Sequence, residues 1–246
     1  FSFLDSLPPI THLVHTAALS NVDYCEDHPD EAHLTNVEVT RRLTESLPPG
    51  AKTVFLSSDC VFDGVSGDYD ENSPTNPVNV YGKTKLEAEN FLKSHSRRHL
   101  SLRTNVVTGW DLAGKNLSTR LVNNLRSGKR MKMPTDLYSN PTFADELSEI
   151  VVKCLDLDLD GVLVSNGPYT LSRYDFGCRI ARSFGLDESL IEAVRTEELG
   201  QKAKRPLNSS MRPDRLCRLT GFQFRTLENS LSWLKEDENN FYGKKD

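Results

Sequence analysis

The 246-residue sequence predicts an α/β fold, a doubly wound parallel sheet, on three observations. Short β-branched runs alternate with longer helix-like stretches, the pattern of parallel strands joined by right-handed crossovers. The run Thr53–Leu56 has the unbroken apolar character of a strand buried on both faces. It ends in Ser57, Ser58 and Asp59, small polar residues at the strand's C-terminal edge, where open α/β sheets bind ligands.

Taken in order, Leu7-Pro8-Pro9 reads as a turn and His12–Ala18 as a strand ending in small residues. Asp27-His28-Pro29-Asp30 opens a helix that runs to about Leu47 and stops at Pro48-Pro49-Gly50. Asn36 lies inside it and, by pattern alone, reads as a solvated side chain. The strand at Thr53–Leu56 follows, then a loop through Asp63-Gly64, a helix from about Val80 to Ser94 and a β-rich run over Leu100–Val107. Parallel strands are expected at Leu13–Thr16, Thr53–Leu56 and Leu102–Thr104, as neighbours in one sheet.

Beyond Gly109 the pattern loosens. Ser118–Ser127 and Ala144–Leu155 are helix-like, Pro134–Pro141 is a loop, Gly161–Ser165 a strand and Tyr174–Phe184 an amphipathic helix ended by Gly185. Arg205–Ser210 is a polar segment with a proline-fixed turn. Leu227–Leu234 is a last short helix, and the tail KEDENNFYGKKD is expected to fray.

Composition narrows the function classes. A formal net charge of −5 argues against a nucleic-acid partner, which usually needs a basic face. No run approaches the roughly 18 apolar residues of a membrane span, and the first ten residues lack the pattern of a signal peptide. Five cysteines without paired spacing fit a reducing, cytoplasmic compartment and indicate neither a disulfide framework nor a metal site.

Tyr81 and Lys85 stand at i and i+4, so on a helix both project from one face, near the end of the Ser58 strand. A phenol with a pKa near 10 is a poor acid at neutral pH, and a neighbouring ammonium lowers that value. Lys85 is placed to do this, whereas Lys83 points away. With Ser58 holding a carbonyl oxygen, the set suits reduction of a ketone, with Tyr81 supplying the proton. An Asp after a strand, as at Asp59, is often only a turn or cap residue, and the Arg205-Pro206 segment is more often a loop staple than a ligand site.

The segments VHTAALSNVD (14–23), LSSDCVFDG (56–64), NVYGKTKLEAE (79–89), LRTNVV (102–107), NPTFADELSEI (140–150) and RPLNSS (205–210) resemble, in order, the extended short-chain dehydrogenase/reductase superfamily. Within it they resemble the dTDP-4-dehydrorhamnose reductases and the related regulatory β subunit of methionine adenosyltransferase. The resemblance implies an NAD(P)-binding Rossmann-like region over 1–106, to which 143–177 returns, and a smaller substrate-binding region over 107–142 and 178–246. It implies NADPH or NADH lying across Ala17, Ala18 and Leu56, with Tyr81 as proton donor. Lys85 would bind the ribose and Ser58 the substrate oxygen, with Asp59, Arg205 and Asn208 around a nucleotide sugar. Asn36 matches the superfamily's helix Asn.

Two departures stand out. The chain starts at Phe1 and carries no Gly-rich phosphate-binding turn, so it reads as a fragment or processed product lacking the first strands and is expected to bind a dinucleotide weakly. The reductases carry an aromatic residue where this chain has Val106. Three readings follow: a reductase of a nucleotide-linked 4-keto-6-deoxy sugar, a non-catalytic partner of a methionine adenosyltransferase catalytic subunit, or a truncated pseudoenzyme. A homodimer is compatible with each.

Overall fold

The computed structural model describes residues 8–96 and 98–242. The first part of the expected turn at Leu7-Pro8-Pro9 and the end of the tail lie outside them. In chain order come β1 (His12–His15), α1 (Val22–Asp27), α2 (Pro29–His33), a π-helical turn (Leu34–Glu38), α3 (Val39–Glu45) and β2 (Lys52–Ser58). A 3₁₀ turn (Asp59–Val61, with two more at Glu188–Leu190 and Thr196–Leu199) and a long loop lead to α4 (Val80–His95), followed by β3 (His99–Thr104), β4 (Val107–Thr108) and α5 (Leu117–Arg126). The remainder is β5 (Met131–Pro134), β6 (Tyr138–Ser139), β7 (Thr142–Phe143), α6 (Ala144–Asp156), β8 (Gly161–Val164), β9 (Leu171–Ser172), α7 (Arg173–Phe184), β10 (Ile191–Val194), α8 (Asp214–Thr220) and α9 (Leu227–Tyr242).

The main sheet has the order β1-β2-β3-β8, parallel throughout, so the three expected strands are neighbours as the pattern required. β2 does not stop at Leu56. Its ladder with β3 runs on through Ser57 opposite Arg103 and Ser58 opposite Thr104, because backbone pairing is indifferent to the polar side chains. Val54, Leu100, Leu102, Leu163, Ile150 and Leu216 form one core between the sheet and α6 and α8. A second core joins α5, α7 and α9 through Leu121, Val122, Phe176, Ile180, Leu231 and Leu234.

Three local expectations change. The helix expected from Asp27 begins instead at Val22, where the Asn21 side chain accepts from the Tyr24 N–H, and it breaks at His28. Pro29 has no N–H to continue the ladder and restarts the helix at its first position. The run Leu100–Val107 is split at Asn105-Val106, because Val106 has φ +41° and leaves the extended region. The tail is helical to Tyr242: Glu238 is 6 % exposed and its carboxylate takes two hydrogen bonds from Arg126.

Candidate functional site

The strand ends converge on a cavity of about 560 Å³. Ser57, Ser58, Asp59 and Cys60 line it from β2 and the turn that follows, and Thr104, Asn105 and Val106 from the end of β3. Tyr81 enters from the first turn of α4. The approach of α4 is set by two small residues. Asn79 caps the helix by accepting from the Gly82 N–H at 2.8 Å, while its amide donates to the Lys204 carbonyl at 2.9 Å. A Cβ at Gly82 would lie 2.1 Å from the Cys60 carbonyl oxygen, so only glycine lets the helix sit against the Asp59–Val61 turn. That contact brings the Tyr81 phenol within hydrogen-bonding reach of Ser58.

Ser58 is held from both sides. Its Oγ accepts from the Cys60 N–H at 3.1 Å and donates to Asp59 Oδ1 at 3.0 Å. Asp59 also accepts from the Ser209 hydroxyl, and its burial raises the carboxyl's pKa despite these bonds and the Arg173 charge. Asp59 is thus a buried member of the site rather than a turn cap alone.

The electrostatics differ from the sequence expectation. Burial, with the Cys60 thiol and Asp59 nearby, pushes the Tyr81 phenol above its ordinary value, and Ser58 opposes that rise. Lys85 is not the controlling influence. It is 2 % exposed, with Nζ 3.9 Å from the Phe55 ring centroid, and its ammonium makes no hydrogen bond or salt bridge with a described residue. Burial pulls its pKa down to about 7, and Glu89 restores little because Arg103 engages that carboxylate at 2.8 Å. Neighbouring His15 is held at about 4 by burial and by Lys85, and hydrogen-bonds Thr40 at 2.9 Å.

Asn36 is 1 % exposed, not solvated. Its Oδ1 accepts from the Leu19 N–H at 2.8 Å, and its amide donates to the Leu19 carbonyl at 3.1 Å and to Thr84 Oγ1 at 3.0 Å. The π-helical turn that carries it marks a local insertion of the kind found at functional sites. Asn36 therefore ties the loop after β1, with Ala17 and Ala18, to the helix bearing Tyr81 and Lys85.

Of the expected site residues, Ser58, Asp59, Tyr81 and Arg205 line the cavity. Ala17 and Ala18 lie beyond its wall at the end of β1, and Lys85 is buried behind Tyr81. Leu56 packs its side chain against the sheet core instead. Asn208 is also away from the cavity: its N–H donates to the Gly64 carbonyl and its Oδ1 accepts from Ser210, which clasps the loop after β2. Arg205 is both staple and wall residue, with Nη2 2.8 Å from Asp23 Oδ2.

Pattern reading missed Arg120 on α5 and Arg173 at the start of α7. Both line the cavity, and neither guanidinium makes a hydrogen bond or salt bridge with a described residue, although the Asp59 charge acts on Arg173. No motif spacing marks them, because they come from separate helices. In the sequence Val106 stands out only as a departure from the reductases' aromatic residue. Its positive φ in a β-branched residue stores roughly 1–3 kcal/mol of strain, held by the Thr142 N–H bonding its carbonyl and by the β4–β7 pairing.

The family model described as the RmlD substrate binding domain matches residues 3–238. The chain belongs to this family. Its relatives include the spore coat polysaccharide biosynthesis protein SpsK of Bacillus subtilis (strain 168), 31 % identical over 199 residues, covering 80 % of this chain and 69 % of the relative. The methionine adenosyltransferase 2 subunit beta of Bos taurus is 30 % identical over 214 residues, covering 83 % of this chain and 63 % of that protein. Among solved structures, the dTDP-4-dehydrorhamnose reductase of Bacillus anthracis str. Ames in complex with NADP superposes with a TM-score of 0.86 at 27 % identity, covering 92 % of this chain and 80 % of that one. The RmlD-family chain thus spans less than two thirds of the Bos taurus relative. Among the described residues no helix is long and apolar enough to cross a membrane, and no group of three potential ligand side chains could hold a metal ion.

Proposed function

We propose that this RmlD-family chain reduces the keto group of a nucleotide-linked 4-keto-6-deoxy sugar, with a nicotinamide cofactor as reductant. The observation that carries the reading is the convergence of Ser58 and Tyr81 on one cavity wall at the strand ends, with Lys85 one turn along α4 from Tyr81. Burial raises the phenol's pKa and weakens it as an acid, yet an alkoxide is still the stronger base, so the proton passes as charge develops on the acceptor. Ser58 turns its hydroxyl from Asp59 to the carbonyl oxygen, and Tyr81 delivers its proton to that oxygen as it becomes an alkoxide. Arg120, Arg173 and Arg205 supply fixed positive charge for a diphosphate.

The residues present fit the nicotinamide end of such a cofactor. Lys85 is a buried cation without an acceptor, which a ribose hydroxyl would provide, and Ala17 and Ala18 leave the backbone open to a flat ring. The bound cofactor would supply hydride; no described residue offers the Gly-rich cradle for its pyrophosphate. NADP accompanies the Bacillus anthracis relative, and parallel oxidation assays distinguish NADPH from NADH as the reductant of this chain. Residues 107–142 and 178–246 form the substrate-covering region in this reading, since Lys115, Arg120, Lys132 and Arg205 reach the cavity from them.

The test is NADPH and NADH oxidation with a panel of 4-keto nucleotide sugars. Tyr81→Phe should lower turnover by about 10²-fold or more, because general acid catalysis contributes roughly 10²–10⁴-fold. Unchanged turnover in Tyr81→Phe would refute the mechanism. The 30 % identity to the Bos taurus protein supports a second reading, a partner of a methionine adenosyltransferase catalytic subunit. Co-purification of that subunit together with an inactive panel would favour it.

A further inference from the structure

We propose that Asn105 selects a sugar bearing a free hydroxyl on the ring carbon next to the reacting carbonyl. The proposal rests on the nucleotide-sugar reading above. Register places Asn105 beside the chemistry: Ser58 faces Thr104 across the β2–β3 ladder, and Asn105 is the next residue along the cavity wall. Asn105 is 2 % exposed and its amide orientation is fixed, because Nδ2 donates to the Ser209 carbonyl at 3.2 Å. That leaves Oδ1 buried, with no hydrogen-bond partner.

A buried carbonyl oxygen without a donor is costly and is seldom left so. The hydroxyls of Ser57 and Thr104, also unpartnered on this wall, can rotate to suit either role. An amide oxygen only accepts, so the missing group must be a donor. In a 4-keto-6-deoxy sugar the carbons flanking the carbonyl carry a hydroxyl at C3 and a methyl-bearing carbon at C5. Only the C3 hydroxyl can donate. The strained Val106, with φ +41°, turns the chain immediately after Asn105 and keeps this segment at the cavity wall. Asn105 is tied through Ser209 to Asp59 and so to Ser58, which couples recognition of the C3 hydroxyl to the groups at the reacting oxygen.

The experiment is calorimetry on the intact chain with dTDP-L-rhamnose, its 2-deoxy and 3-deoxy analogues, and dTDP alone. The wild type should bind the 3-deoxy analogue about 10-fold or more weaker than dTDP-L-rhamnose, the loss of roughly one buried hydrogen bond. The 2-deoxy analogue should stay within a few-fold of the parent by the same measure. In Asn105→Leu the parent should weaken to the level of the 3-deoxy analogue, with dTDP unchanged. A parent-to-3-deoxy ratio near unity in the wild type, or a ratio that survives in Asn105→Leu, would overturn the proposal while leaving the nucleotide-sugar reading intact. If Asn105→Leu does not fold, the wild-type ratio decides alone. Failure of dTDP itself to bind would refute the nucleotide-sugar reading, and this proposal with it.

Discussion

Replacing Lys85 with methionine should make the protein more stable near neutral pH, and the gain should fade as the solution becomes alkaline. Lys85 is a buried ammonium over the Phe55 ring with no acceptor of its own. Its pKa falls from 10.5 to about 7 on folding. The unfolded chain therefore binds this proton more tightly, and between about pH 7 and 10.5 this group makes stability rise with pH. Below that window both states are protonated and the cost is complete. At about 1.4 kcal/mol per pH unit it reaches roughly 5 kcal/mol. The Phe55 face returns about 1–2 kcal/mol to the cation. Lys85→Met, similar in volume, should accordingly gain about 2–4 kcal/mol near pH 6 and less than about 1 kcal/mol near pH 10. Urea unfolding of both proteins across that range measures the difference, and His15, the other group that Lys85 perturbs, has its folded pKa near 4, below the window. A methionine variant less stable than wild type near pH 6, or a gain independent of pH, would refute the account of a cation awaiting its acceptor.

Gly82→Ala should damage function more than stability. The new Cβ would meet the Cys60 carbonyl at 2.1 Å, well short of ordinary contact at 3.4–4 Å, so α4 must move by on the order of 1 Å. Better helix propensity, about 1 kcal/mol, offsets part of an overpacking cost of roughly 1–3 kcal/mol, while turnover falls by about 10²-fold as Tyr81 leaves Ser58. Thermal unfolding beside the reductase assay separates the two effects, and wild-type turnover would show that the close approach is dispensable. Asn36→Ala strands the Leu19 backbone groups, so a loss of about 2–3 kcal/mol is expected, with faster hydrogen exchange at the Leu19 amide than at β2 amides. Glu238→Ala should cost about 2 kcal/mol in urea unfolding by removing the anchor of α9 to Arg126; no change would mean the last turns of α9 contribute little.

The parallel sheet was legible because its evidence is local. Thr53–Leu56 reads as a buried strand from four consecutive side chains, and Tyr81 and Lys85 share a helical face by spacing alone. Ser58 was legible for the same reason, since the end of a parallel strand is where a ligand meets the sheet. Elements of two residues, such as β4, β6, β7 and β9, carry too short a pattern to be seen, and exist only through their pairing.

What the tertiary structure alone decided is environment. The residue types at Lys85 and Tyr81 are plain in the sequence, but their proton affinities depend on desolvation and on Cys60, Asp59 and Glu89, contributed by other turns of the chain. Asn36 looks like a surface side chain until the π-helical turn aims it at Leu19 and Thr84. Leu56 and Asn208 match the right motifs yet face the core and a loop, because a motif specifies position along the chain and packing specifies direction. Arg120, Arg173 and Asn105 line one cavity from separate elements, and no one-dimensional pattern records that meeting.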